Sequence, residues 1–375
     1  MFDLPSPASP YTMAPIGSAI SREVFGFKNL ILERRMAAAL QHTAASDCYP
    51  IFREFSCAAR INLEAAFDAL ALDPRWTAQR TNASAMLLDQ AGALISARGQ
   101  RKATYCSCTF EIWAVGVDEA EQARAAILAH FGPYLITEPM IAVDWCFVTK
   151  HDSFESVRVE EVADAPLLDE AYPYLAGGVD GFIRRYLDAD DCVLVLQGPP
   201  GTGKTRLIRS ILAAMTRRKG GTACAVYTTD TKALETDEIF IRFVTDGADA
   251  FVMEDADHLL GPRSSGNDNL HRFLAIADGI IRAQGRKIIF STNLPNVGDL
   301  DDALVRPGRC FARIEARRLK VREALTLVQA LARRDATITD AAEAAAIIER
   351  SAGSLSLAEV FQLLRKSDSA CDPTT

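Results

Sequence analysis

Several features that would assign this chain to a class at once are missing from its 375 residues. No run of about 18 apolar residues occurs, so no segment is expected to span a membrane. The opening Met1-Phe2-Asp3-Leu4 has neither a basic n-region nor an apolar h-region, and no secretory signal is visible. An excess of positive charge is absent too. The 41 basic residues are outnumbered by 49 acidic ones, which argues against a mainly electrostatic grip on nucleic acid. Basic pairs and triplets such as Arg34-Arg35, Arg184-Arg185 and Arg217-Arg218-Lys219 are scattered and read as solvated faces. The nine cysteines include no CxxC pair. Cys106 and Cys108 lie two apart in an alternating segment, so they read as core residues on one strand face rather than metal ligands. Reduced thiols in a cytoplasmic protein are the simplest account. No internal repeat is evident.

What is present is concentrated in Gly198-Pro199-Pro200-Gly201-Thr202-Gly203-Lys204-Thr205. It fits G-x-x-x-x-G-K-[ST], the phosphate-binding loop. The glycines allow a tight turn in which successive N–H groups point inward at an anion. Lys204 reaches the β- and γ-phosphates, and the Thr205 hydroxyl ligates Mg²⁺. The apolar run Cys192–Gln197 before it reads as a buried strand. Thr205 to Arg217 reads as a helix with Leu207, Ile208, Ile211 and Leu212 on one face. A helix N-terminus therefore sits at the phosphate site.

Around this loop the chain falls into parts. Residues 1–20, with Pro5, Pro7, Pro10 and Pro15 among Ser and Ala, are expected to form a disordered arm. Residues 21–160 read as an N-terminal α+β domain. Ser21 to Ala71 looks mainly helical, Ala85–Ala97, Thr104–Val115 and Ile141–Lys150 read as strands, and Asp118–Phe131 as an amphipathic helix. No catalytic constellation is found there, and His42, His130 and His151 are isolated in sequence. Residues 161–316 read as α/β, with strands at Cys192–Gln197, Ala223–Tyr227, Ala250–Met253, Lys287–Thr292 and Ala312–Ala316, a pattern that suits a parallel sheet covered by helices. Residues 317–375 read as helices only, at Leu319–Arg334, Asp340–Ser351 and Ser356–Arg365.

Three further segments carry chemistry. Phe251-Val-Met-Glu254-Asp255 is an apolar strand ending in paired carboxylates; in a P-loop nucleotidase such a pair serves Mg²⁺ and the attacking water. Lys287-Ile-Ile-Phe-Ser-Thr-Asn293 ends in an amide able to orient water or the γ-phosphate. Leu300-Asp-Asp-Ala-Leu-Val-Arg306-Pro-Gly-Arg309 presents two guanidinium groups around a Pro-Gly turn, suited to charge on a transferring phosphoryl group.

In this order the segments resemble the AAA clade of the AAA+ ATPases, over roughly Ala171 to Lys366. The resemblance implies a fold, an AAA+ module of parallel P-loop sheet with helices on both faces plus a small helical lid. It implies ATP and Mg²⁺ as cofactors and a homo-oligomeric ring, a hexamer in the family. Gly198–Thr205 matches Walker A. Glu254 and Asp255 match the Walker B pair, in the reverse of the usual Asp-Glu order. That swap is similar to the AAA translocase of a folded Rieske iron–sulfur protein and to bacterial AAA proteins with an uncharacterised N-terminal domain. By position Glu254 holds the Mg²⁺ water shell with Thr205 and Asp255 is the base; the swap leaves the division open. Asn293 matches sensor 1, and Arg306 and Arg309 match the fingers that act on a neighbour's nucleotide. Gly353-Ser-Leu-Ser-Leu-Ala-Glu359 lacks a sensor 2 arginine, as the clade does. Thr228 to Asp237 lacks the aromatic–apolar–Gly loop of threading members. The expected function is ATP hydrolysis that remodels or moves a protein partner recruited by the N-terminal domain. A DNA-associated motor or loader, for which Lys232 is the only cation in that loop, and a nucleotide-dependent scaffold with little hydrolysis are the alternatives.

Overall fold

A computed structural model describes residues 51–220, 222–260, 272–273, 285–295, 306, 308–335, 338, 341–351 and 353–365. The arm expected over 1–20, the helix expected at Leu30–Leu40, His42 and the segment Leu300–Val305 lie outside them. The chain divides into two compact units between Glu138 and Pro139.

The first unit runs β1 (Ile51–Ala59), α1 (Leu63–Ala71), β2 (Thr77–Asn82), β3 (Ala85–Gln90), β4 (Ala93–Arg101), β5 (Cys106–Ala114), α2 (Val117–Phe131) and β6 (Leu135–Ile136). Its strands form one antiparallel sheet in the order β2-β3-β4-β5-β1-β6. Alternation in β5 puts Cys106, Cys108, Phe110, Ile112 and Ala114 on one face, each at most 1% exposed. Against that face α1 sets Leu63, Phe67 and Leu70, and α2 sets Ala120, Ala123 and Ile127. Phe110 stacks on Phe55 with centroids 5.1 Å apart, and truncating such a residue to Ala costs about 3–5 kcal/mol. Cys106 and Cys108 are thus core residues, as their spacing implies. His130 is a structural residue that bonds buried Asp73 at 2.5 Å, beside the ring of Trp76.

Two local expectations change here. Ile51–Ala59 lies in the segment read as helical, yet it is a strand paired with β5 from Ile51↔Ala114 to Ala59↔Cys106, because long-range pairing overrides local propensity. The single strand expected at Ala85–Ala97 is a hairpin, broken at Ala91-Gly92 between the partners Gln90 and Ala93.

The second unit runs β7 (Met140–Val148), β8 (Phe154–Val162), α3 (Gly178–Asp188), β9 (Val193–Gln197), α4 (Lys204–Lys219), β10 (Ala223–Thr228), α5 (Thr231–Glu235), α6 (Glu238–Thr245), β11 (Ala250–Met253), α7 (Asp257–Leu260), β12 (Lys287–Thr292), β13 (Cys310–Glu315), α8 (Val321–Arg334), α9 (Ala341–Arg350) and α10 (Leu357–Arg365). The sheet order is β13-β9-β12-β11-β10-β7-β8, parallel throughout except for the edge pair β7–β8. Both faces are covered, which is why β9 reads as a continuous apolar run. Leu194 and Leu196 enter the core under α3, α4 and the C-terminal helices, while Val193 and Val195 enter the core under α5, α6 and α7. No helix among the described residues is long and apolar enough to cross a membrane.

The strand expected at Ile141–Lys150 exists, but in this sheet and not in the first unit. It lies parallel to β10, from Ile141↔Ala223 to Trp145↔Tyr227. Side chains fasten it. The Thr228 hydroxyl donates to the Cys146 carbonyl at 2.9 Å, and the Thr216 hydroxyl donates to that of Met140 at 2.8 Å. The Val148 N–H donates to Asp230 at 2.8 Å. The division near residue 160 read from the sequence therefore falls inside β8, and the first unit ends at Glu138. Alternation within one strand does not encode which sheet will receive it.

Candidate functional site

A cavity of about 1150 Å³ lies between the C-terminal ends of the parallel strands and the helices α8 and α10. Its lining includes Pro200 to Arg206, Tyr227, Glu254, Asp255 and Asn293 from the sheet side. Leu168, Ala171 and Tyr172 line another wall, and Leu327, Leu331, Ala358 and Phe361 close it from the helical side. One region is thus polar, and the other walls are mainly apolar with Asp164, Arg334, Asp335 and Gln362 among them, a division that suits a nucleotide's phosphates and base.

The loop after β9 makes the polar region. Gly198 is held where a Cβ would sit 1.8 Å from the Ala316 carbonyl oxygen, so no other residue fits without moving β13. Gly203 has φ +90°, and a Cβ there would meet Leu357 and the Tyr172 hydroxyl at 2.7 Å each. Tyr172 donates its hydroxyl to the Gly203 carbonyl at 3.0 Å, and the Ala358 N–H donates to that of Gly201 at 3.1 Å. The loop is braced from both sides before any ligand arrives.

Lys204 and Thr205 open α4. The Lys204 ammonium donates to the carbonyls of Gly198 at 2.6 Å and Pro199 at 3.2 Å, and to Asn293 Oδ1 at 2.9 Å. Burial pushes its pKa below the usual lysine value, and the carboxylates of Asp255, Asp257 and Glu254 partly offset this. The Thr205 hydroxyl donates to Glu254 Oε1, and the Tyr227 hydroxyl donates to Glu254 Oε2 at 3.2 Å. Asn293 Nδ2 donates to Asp255 Oδ1 at 2.9 Å. Asp255 has φ +51°, a left-handed backbone that Asp tolerates better than most residues yet still costs on the order of 1 kcal/mol. The carboxylates of Glu254 and Asp255 thus take different partners, one on the P-loop threonine and one on the asparagine.

Mg²⁺ takes hard oxygen ligands, and the adjoining Thr205 hydroxyl and Glu254 carboxylate are a donor pair of that kind. Among the described residues no cluster of three or more His, Cys, Asp or Glu could hold a metal alone. A cation at this pair would draw its other ligands from phosphate and water.

The structure brings Gly198–Thr205, Glu254, Asp255 and Asn293 together and sets Arg306 and Arg309 apart. The Arg309 carbonyl accepts the Val193 N–H at the start of β9, whereas the P-loop follows its end. Five residues of strand separate the two levels, about 16 Å. Neither arginine lines the cavity. Three polar neighbours of the site were missed in the sequence: Tyr172, Tyr227 and Asp257. Asp257 stands in the same acidic motif as Glu254; the tyrosines carry no local signal.

Residues 194–318 match the family model described as "ATPase family associated with various cellular activities (AAA)". The chain is 29% identical over 170 residues to the 26S proteasome regulatory subunit 7 homolog of Schizosaccharomyces pombe, covering 42% of this chain and 36% of that protein. It is 30% identical over 176 residues to the ATP-dependent zinc metalloprotease YME1 homolog of Caenorhabditis elegans, covering 42% and 21%. It is 26% identical over 174 residues to an "AAA ATPase forming ring-shaped complexes" of Bifidobacterium dentium, covering 41% and 32%. The chain thus spans between 21% and 36% of the length of these relatives. The parallel P-loop sheet, the helices beside it and the cavity between them agree with that match, and residues 194–318 are similar to the AAA domain of these ATPases.

Proposed function

We propose that this protein hydrolyses ATP as a ring of identical subunits, a hexamer by family resemblance, and uses the energy to remodel or move a protein partner. The observation that carries the reading is the convergence of Lys204, Thr205, Glu254, Asp255 and Asn293 on one cavity with an apolar wall. The P-loop N–H groups and Lys204 bind the phosphates, and the base lies against Leu168, Ala171, Leu327 and Leu331. Thr205 and Glu254 would hold Mg²⁺, which when bound would neutralise charge on the phosphates. Asp255 accepts a proton from the attacking water, and Asn293 fixes both Asp255 and Lys204. Arg306 and Arg309, distant from their own P-loop, serve the nucleotide of the next subunit.

The names of the relatives, a proteasome regulatory subunit and a ring-forming ATPase among them, support a ring that acts on proteins. Thr231–Glu235, within the segment where threading members carry an aromatic loop, is a helix with Ala233 and Leu234 buried on the sheet, which favours a partner moved without aromatic paddles. The seven cysteines among the described residues are free thiols, which fits the reducing cytoplasm. The test is steady-state ATP turnover of the full chain, with Mg²⁺ or EDTA and with or without DNA. Mg²⁺-dependent turnover lost in Lys204→Ala and indifferent to DNA is expected. Turnover that requires DNA favours the motor or loader, and Mg²⁺-ATP binding without turnover favours the scaffold.

A further inference from the structure

Asp257 has no part in the roles just given, yet its carboxylate ties together the loop ends that face the cavity. It is the first residue of α7 and half-buried. Its Oδ1 accepts the Thr292 hydroxyl at 2.6 Å and the Asn293 backbone N–H at 2.8 Å. Thr292 is fully buried, and its hydroxyl in turn accepts the Leu294 N–H at 3.1 Å. The chain leaving β12 is thereby fixed to the turn that follows β11.

The consequence lies one residue away. The Asn293 amide works in a single orientation, with its oxygen on Lys204 Nζ and its nitrogen on Asp255 Oδ1, each at 2.9 Å. A rotation of the backbone at Asn293 would break both bonds at once. The same turn holds Asp255 in its left-handed conformation, with the Ala256 N–H on the Ser291 carbonyl at 2.8 Å. Such a backbone persists only where its surroundings hold it.

We propose that Asp257 is a positioning residue for phosphoryl transfer, holding the Asn293 amide between Lys204 and Asp255 through the Thr292 hydroxyl and the Asn293 backbone. The assignment rests on the ATP-hydrolysis reading. A carboxylate that only begins α7 would support folding and nothing more, and a double-mutant cycle separates the two roles.

Steady-state ATP turnover is measured for the full chain, Asp257→Ala, Asn293→Ala and the double variant. Each single variant is expected to lose about tenfold or more in kcat, the scale of one or two misplaced hydrogen bonds. KM for ATP should change less than kcat, since the P-loop N–H groups and Lys204 itself remain in every variant. The double variant should be no slower than Asn293→Ala. Asp257→Asn, whose amide oxygen accepts the same two bonds, should recover most of the rate. Losses that multiply in the double variant, an unchanged rate in Asp257→Ala, or no recovery in Asp257→Asn would each overturn the proposal. If Asp257→Ala does not fold, Thr292→Val combined with Asn293→Ala makes the same cycle. A wild type without turnover overturns the hydrolysis reading instead. A role in phosphoryl transfer falls with that reading, whereas losses that multiply beside an active wild type count against positioning alone.

Discussion

Glu254 and Asp255 are neighbours in sequence with opposite surroundings, and their partners bear on the order in which the two carboxylates work. Glu254 takes the hydroxyls of Thr205 and Tyr227, whereas Asp255 sits on Asn293 beyond a left-handed turn. The longer side chain reaches back to the P-loop threonine, and the turn carries the shorter one toward the asparagine. This favours Glu254 as the carboxylate on the Mg²⁺ side and Asp255 as the base. Asp255→Asn is accordingly expected to keep Mg²⁺-ATP affinity and lose about 10²-fold or more in kcat, the scale of a general base. Glu254→Gln should weaken Mg²⁺ dependence as well as rate. Equilibrium binding of a fluorescent ATP analogue, with and without Mg²⁺, beside turnover of both variants decides it. If Glu254→Gln alone stops hydrolysis while sparing Mg²⁺-dependent binding, the roles are exchanged.

The added strands set the boundary of the second unit. β7 buries the edge of β10, and β8 in turn covers β7, with Arg209 of α4 bonding Glu161 at 2.7 Å and Asp164 at 2.8 Å just beyond it. A fragment of residues 139–375 should stay soluble and bind ATP, while one starting at residue 163 leaves β10 as a bare edge and should aggregate or lose stability. Thermal unfolding and size-exclusion chromatography of the two fragments check this; equal stability would mean that the hairpin is dispensable. The same region marks the limit of what could be read from the residues. Gly198–Thr205 declares itself because its glycines, lysine and threonine each have a local mechanical reason to be there. The central strands declare themselves because burial on both faces makes them apolar throughout, as in Val193–Leu196. The assignment of β7 to the second sheet, the strand at Ile51–Ala59, and the reach of Tyr227 and Asp257 into the site depend on pairings between residues far apart in sequence. No periodicity within one segment encodes them.

For the whole molecule, the proposed ring divides the site: among the described residues Lys204, Thr205, Glu254, Asp255 and Asn293 line one cavity, and Arg306 and Arg309 do not. Arg306 is exposed, and the turn carrying it and Arg309 lies at the start of β13, at the end of the sheet away from the P-loop. The central claim of the proposed ring is that a site so divided is incomplete in an isolated subunit. A guanidinium supplied in trans contributes about 10³-fold or more to phosphoryl transfer in other nucleotidases. Arg309→Ala should therefore bind ATP normally and turn it over poorly, and Lys204→Ala should be inactive for lack of binding. The direct test is the ATP turnover of an equimolar mixture of these two variants across a dilution series. The account predicts that mixing restores part of the activity, since some interfaces then pair an intact P-loop with an intact arginine, and that specific activity falls on dilution as subunits separate. No rescue, together with constant specific activity down to clearly monomeric wild-type protein, would contradict it.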